Sequence, residues 1–229
     1  MRDLRLSLQS LRREITDVSE GRVGHLRVGV GFPGPEQFLS AVFATLLKGA
    51  PRTKLIVSLS DNDLMIPALR DGALDLIVNY LLATSPPEGL VCEHLFDDEY
   101  VVCASVKHRL AGRKKVTLAE LAKERWVLTD PALVPQRRLH EIFLGHGLSP
   151  PSIAMEARST ALRLRTAASS DLIDWTSRKF VEQSALSSAV EILPVKELTW
   201  RRPIGVTYRR ENYLPTLCVV SLRSSKQRL

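Results

Sequence analysis

LRVGVGFPGPEQFLSAVFATLLKGAPRTKLIVSLSDNDLMIPALRDGALDLIV, residues 26–78, reads in order as strand, helix, strand, helix, strand. Leu26, Val28 and Val30 alternate with Arg27 and Gly29, the two-residue period of a strand. Gly31-Phe32-Pro33-Gly34-Pro35 follows as a turn, with Pro35 suited to a first helical position. Phe38, Leu39, Val42, Phe43, Leu46 and Leu47 then recur with helical period until Gly49 and Pro51 stop them. A second strand is expected over 55–59. Asp61 or Asn62 can cap a helix through Leu64, Ala68 and Leu69 that ends at Gly72, and 74–78 is a third strand. Alternation at this spacing requires parallel strands joined by right-handed crossovers. The turn glycines match neither G-x-G-x-x-G nor a P-loop, so no nucleotide site is indicated.

Downstream, a looser stretch over 83–89 leads into a second α/β block that opens on the apolar strand Tyr100 to Ala104. Thr117 and Glu120 have capping-box spacing for a short helix, and Trp126-Val127-Leu128 is a strand. A helix through Leu139, Ile142 and Phe143 stops at Gly147, a strand covers 152–156, and Ser159 can cap a helix through Leu162 and Leu164. A short strand over 172–175, a helix over 180–186, a last strand over 204–208 and a last helix over 214–222 complete the pattern. Upstream, Leu4, Leu8, Leu11, Ile15 and Val18 step by four and three, an a/d seam on one helix face. At fewer than three heptads it needs a partner surface, either its own domain or a second chain. The fold class is therefore α/β, with two Rossmann-like lobes and an expected ligand cleft at the strand ends.

The 229 residues carry 45% apolar residues, enough for a proper core. No stretch reaches the roughly 18 consecutive apolar residues of a membrane span, and the first twenty residues lack a secretory apolar region. A cytoplasmic protein without membrane contact is expected. The three cysteines, Cys92, Cys103 and Cys218, form no C-x-x-C pair and read as free thiols. The net charge of +7 is spread over short basic pairs such as Arg137-Arg138 and Arg201-Arg202, which favours a solvated basic surface over a nucleic-acid groove.

Several stretches resemble the effector domain of LysR-type transcription regulators. These are Gly24-x-Leu26-Arg27-Val28-Gly29, Leu69 to Val78 with its Gly72 and Leu74-Asp75, Leu95 to Val102, His108-Arg109-Leu110-Ala111, and Thr117 to Leu121 followed by Trp126-Val127-Leu128. The resemblance covers nearly the whole chain, and the order and spacing of the motifs carry it. It implies a type-2 periplasmic-binding-protein fold preceded by part of a linker helix. Residues 1–22 would end that linker and dimerisation helix. Residues 24–98 with 203–229 would form the first effector-binding lobe and 99–202 the second. The family's N-terminal winged helix-turn-helix is not in this chain, so promoter DNA would be met only through that domain. The implied partners are a small-molecule effector held in the interlobe cleft and a second copy of the chain, as homodimer or homotetramer. In that assembly the helix from Phe38 to Leu47 would pair with the partner's second lobe.

Candidate effector contacts sit after the strands. The family's first loop offers a hydroxyl and backbone N–H groups to a carboxylate; here it is Gly31, Phe32, Pro33 and Gly34, which lacks the hydroxyl and two donors, so Phe32 is either an apolar wall or plain core. Ser60 and Asp61 follow the second strand, where helix capping is the structural alternative. Asn79 and Tyr80 follow the third, where a turn is the alternative. Thr129 and Asp130 follow a strand of the second lobe. Arg158 stands at a helix start beside Ser159, itself read as a cap. Trp175 and Thr176 replace, with Asp174, a glycine-rich stretch of the family, a departure that points to an unusual effector, to an amine-bearing one, or to lost sensing. The five histidines show no metal spacing and read as surface or helix-end residues. Neither a nucleophile elbow nor a cysteine–histidine pairing is present, so no enzyme and no cofactor is expected. A solute-binding protein for transport, or a regulator domain that has lost its effector, are the alternative functions.

Overall fold

A computed structural model of the chain describes residues 25–31, 36–60, 62–81, 86, 88–131 and 133–210. The leucine seam of residues 4–18, the expected helix over 214–222, Cys218 and the candidate contacts Phe32, Pro33, Gly34 and Asp61 lie outside the described residues. The chain divides into two compact units. One comprises residues up to Asp97 and from Pro203 on; the other is Asp98–Arg202.

The first unit holds β1 (His25–Val30), α1 (Glu36–Gly49), β2 (Lys54–Leu59), α2 (Asn62–Arg70) and β3 (Leu76–Tyr80). It also takes the start of β4 (Leu90–Ser105) and the end of β9 (Trp200–Arg209). β1 pairs in parallel with both neighbours, His25 opposite Lys54 and Val28 opposite Leu76, as the alternation of residues 26–78 requires. β9 adds antiparallel to β3, Leu76 opposite Tyr208. Asp75 fixes the entry to β3: its carboxylate accepts the Arg27 backbone N–H at 2.7 Å, and its own N–H returns to the Arg27 carbonyl at 2.9 Å. Met65, Leu69, Leu74, Ile77 and Leu90 form a buried cluster under α2. Gly29 lies against it, where a Cβ would come within 2.8 Å of Ile77, Leu74 and Met65 side-chain atoms.

The second unit holds the rest of β4, α3 (Leu118–Leu121), β5 (Arg125–Leu128), α4 (Val134–Gly145), β6 (Ser152–Glu156), α5 (Thr160–Ala168), β7 (Asp174–Ser177), α6 (Arg178–Gln183), β8 (Val190–Ile192) and a 3-10 turn at Lys196–Leu198. β7 and β8 run antiparallel to β4, and β5 pairs in parallel with β6. A parallel bridge from Trp126 to Ile173 joins β5 to the residue before β7. The Thr117–Glu120 capping box is formed in both directions. Trp126, wholly buried, donates its indole N–H to the Leu121 carbonyl at 3.1 Å and meets the Phe143 ring edge-on.

β4 begins ten residues before the expected Tyr100. Its first half hides its period behind polar residues, and each finds a partner. Glu93 accepts from the Tyr208 hydroxyl at 2.6 Å, His94 meets Asp97 at 2.8 Å, and Asp98 accepts from Ser177 and Arg202. Arg202 corrects the reading of Arg201-Arg202 as solvated surface: it is buried, with its guanidinium 3.8 Å from the Tyr100 ring centre. Cys92 is half-buried and Cys103 buried, both as free thiols.

His108 corrects the surface reading of the histidines. Its ring is buried, its Nδ1 accepts the Leu110 N–H at 3.2 Å, and its Nε2 stands 3.4 Å from Glu124. Burial and the Arg109 guanidinium hold its pKa below the ordinary 6.5, against the opposing pull of Asp171. Below that value the unfolded chain binds the proton more tightly than the folded one. Stability is therefore complete above pH 6.5, falls as the pH drops through it, and levels off under the folded pKa. Denaturant midpoints measured from pH 7.5 to 5 should show this loss in the native protein, and His108→Gln should flatten it.

Candidate effector site at the strand ends

In the first unit the described candidates lie where three parallel strands finish. The Gly31 N–H donates to the Val78 carbonyl at 2.8 Å and the Ser60 N–H to the Val30 carbonyl at 3.2 Å, which brings these loop starts together. Asn79 is buried, and its Oδ1 accepts from the Thr207 hydroxyl at 3.1 Å, so the carbonyl end of this amide is engaged within the sheet. Tyr80 is buried beside it at the end of β3.

The second unit builds a denser polar cluster. Thr129 and Asp130 follow β5, and the Ala157 N–H donates back to the Leu128 carbonyl at 2.9 Å, so the parallel strands β5 and β6 release their loops side by side. Arg158, on the β6 loop, reaches across to Asp130 at 2.6 Å, with the guanidinium largely in solvent and the carboxylate mostly shielded. Ser159 caps α5, accepting the Leu162 N–H at 3.3 Å. The structure thus brings Thr129, Asp130 and Arg158 to one place and assigns Ser159 to the helix end.

Beneath this loop lies a buried ion pair. Arg163, 3% exposed at its side chain, donates from Nε to Asp174 Oδ1 at 3.1 Å; Asp174 is fully enclosed. One Arg163 terminal nitrogen bonds the Ala157 carbonyl at 2.9 Å and the other the Thr160 hydroxyl at 3.3 Å. The guanidinium therefore pins the turn that carries Arg158. Burial pushes the Asp174 carboxyl above the usual carboxylate range, opposed by Arg163 and by the Trp175 N–H that also donates to Oδ1. Arg163 stays charged: burial disfavours the cation, but Asp174, Tyr100 and Cys103 together more than compensate. The expectation of an acid at 174 open to an amine-bearing ligand is corrected, because Arg163 already neutralises it.

Trp175 points to the opposite face of β7. It is buried, donates its indole N–H to the Leu198 carbonyl at 2.7 Å, meets Tyr100 edge-on and stacks on Trp200. Its plain role is core of the second unit. Thr176 returns to the Asp174 face and is wholly buried. Sequence reading missed Arg163, although a signal existed. With Ser159 as cap, Thr160, Arg163, Leu164 and Ala167 form the buried stripe of α5, and an arginine on such a stripe demands an acid. Among the described residues no group of three His, Cys, Asp or Glu side chains is placed to hold a metal, and no helix is long and apolar enough to cross a membrane.

The profile of the LysR substrate binding domain family matches residues 19–222. The chain is 21% identical over 208 residues to the HTH-type transcriptional regulator GbpR of Azospirillum brasilense, covering 90% of this chain and 61% of that protein. It is 28% identical over 192 residues to the phosphonates import ATP-binding protein PhnC of Anaeromyxobacter dehalogenans, covering 82% of this chain and 37% of that protein. Among solved structures it resembles the CcmR regulatory domain of Synechocystis PCC6803 in complex with 2-PG, with a TM-score of 0.75 and 18% identity, covering 89% of this chain and 96% of that one.

Proposed function

The chain belongs to the LysR substrate-binding domain family, and from that premise we propose that it is the small-molecule sensor of a longer DNA-binding transcription regulator, with its effector bound at the strand ends. GbpR supports the regulatory reading, and the chain spans 61% of that protein, so DNA contact is assigned to residues outside this chain. The observation that carries the sensing role is the strand-end cluster of Thr129, Asp130 and Arg158, pinned from below by the buried Arg163–Asp174 pair. The arrangement presents polar groups held in place by the Arg158–Asp130 pair and by the hydrogen bonds of Arg163 to the turn. Gly31, Ser60, Asn79 and Tyr80 are proposed as contact candidates at the first unit's strand ends, and Thr176 lies behind the second unit's cluster, whereas Trp175 belongs to that unit's core.

An effector that binds only the folded form raises stability by about 2.7 kcal/mol at a hundred times its Kd. A thermal-shift screen of small metabolites should find such a compound, and Arg158→Ala should reduce its shift. Turnover of a substrate by the purified chain would overturn the reading.

Self-association is proposed through the edge of the first unit. Among the described residues β2 pairs only with β1 and leaves Ile56, Val57 and Leu59 in solvent, with Leu59 72% exposed; Leu47 of α1 and Leu64 of α2 are also exposed. An exposed apolar edge strand is a ready pairing surface. Light scattering at about 50 µM, well above the Kd of specific homodimers, should give at least a dimer; a strict monomer counts against it. The match to PhnC, a phosphonates import protein, favours a second reading, a part in transport.

A further inference from the structure

We propose that residues 107–125 of the second unit form a basic surface that holds the phosphate backbone of duplex DNA without regard to sequence. Such contact departs from the expectation that DNA is met only through another domain. Base reading stays with residues outside this chain; backbone contacts position a protein on the duplex and carry no sequence information. Charge is the first observation. Residues 107–125 hold seven lysines and arginines against two acids, Glu120 and Glu124, a net +5 where the whole chain of 229 residues has +7. Basic pairs scattered along the sequence hide this concentration.

The fold then turns the bases outward and the acids inward. All seven bases are exposed, whereas Glu124 is buried and Glu120 half-buried. Arg109 reaches Glu124 and Arg113 reaches Glu120, which stitches the turn after β4 to the segment around α3 and gathers the bases on one part of the unit. Lys107, Lys114, Lys115, Lys123 and Arg125 make no ion pair among the described residues. The frame beneath them is fixed. Leu110, Val116, Leu118 and Leu121 belong to the buried apolar cluster, and the Gly112 N–H donates to Glu191 at 2.8 Å. Glu191 and Asp171, which acts on the buried His108, are the acids that approach from other elements, and counting both still leaves +3. A basic array on a rigid frame suits regularly spaced phosphates, whose neutralisation releases counterions. No aromatic residue occurs between 107 and 125, so a stacking platform for unpaired bases is missing and duplex is the form that fits.

The test titrates a fluorescently labelled duplex of arbitrary sequence, about 25 base pairs (some 85 Å) long, with the full chain and follows anisotropy. Binding with a Kd on the order of 10 µM is expected at about 50 mM salt, and log K should fall against log salt with a slope of about −4, the value for four or five phosphates. Lys114→Glu with Lys115→Glu should weaken binding about tenfold or more and flatten that slope. Lys123→Gln with Arg125→Gln should weaken it severalfold, a second reading should the first variant fail to fold. Arg137→Glu with Arg138→Glu, an exposed basic pair on α4, changes the net charge as much as the first variant and should leave the Kd within about twofold. No binding at about 50 mM salt overturns the proposal. Equal weakening by the α4 pair overturns it too, since total charge would then be what matters. Polyglutamate binding more tightly than the duplex overturns it in favour of an acidic protein partner. Each of these failures leaves effector sensing standing, because the thermal-shift screen reads that separately.

Discussion

Arg163→Met should destabilise the fold by about 3–5 kcal/mol, as removal of one member of a buried ion pair does. Asp174 is fully enclosed, and with the guanidinium gone its carboxylate keeps, among the described residues, the Trp175 N–H at 2.8 Å. Met fills the space of the lost side chain as far as Nε, so much of the effect comes from the stranded charge rather than from a void. Two further measurements separate those causes. Removing both charges, with Asp174→Ala added to Arg163→Met, should recover part of the loss. Acid should also recover it: burial already lifts the Asp174 pKa above the ordinary 3.8, and loss of Arg163 lifts it further. A carboxyl that protonates more readily in the folded state gains stability as the pH falls through its folded pKa. The gap between native and variant midpoints in urea should therefore narrow from pH 7 towards pH 4. A gap independent of pH would show that Asp174 is not the stranded group.

Trp126→Ala should cost about as much, about 3–5 kcal/mol, through a different mechanism. The indole lies at the centre of the second unit's apolar cluster, among Leu121, Leu139, Phe143 and Ile173, and its deletion leaves a cavity that strands on either side cannot close. Trp126→Phe keeps most of the ring and loses the bond to the Leu121 carbonyl, which still accepts the Glu124 N–H at 3.1 Å, so only about 1 kcal/mol is expected for the lost hydrogen bond. Native-state hydrogen exchange locates the effect: protection should fall over β5, α4 and β6. Equal loss across β1 and β3, with the second unit unaffected, would contradict the assignment of Trp126 to the second unit's core.

The parallel strands of residues 26–78 were legible because each element repeats its period cleanly and glycine or proline marks the joints. The same holds for Ser159 and for the Thr117–Glu120 box, whose chemistry is local in sequence. The first half of β4 was not legible, because Glu93, His94 and Asp98 break its alternation, and Tyr208 and Arg202, which partner Glu93 and Asp98, come from more than a hundred residues away. The candidate site was legible as positions and not as bonds. That Thr129, Asp130 and Arg158 follow strands was readable; that Arg158 closes on Asp130 was not. Arg163 carried a local signal, but with 25 acidic residues in the chain, spacing could not choose Asp174 as its partner. Trp175 was placed towards ligand because its position, not its packing, was what the sequence showed.

The second unit is one unbroken piece of chain, whereas the first needs β9, whose Tyr208 registers with Leu76 more than 130 residues earlier. On a translating ribosome the middle piece can therefore reach its own native state while the outer one still waits, short of the strand beside β3. Until Pro203 to Arg209 emerges, the flank of β3 is uncovered. Truncations upstream of residue 203 should accordingly yield a protease-resistant core from the middle of the chain and leave the leading residues to be degraded.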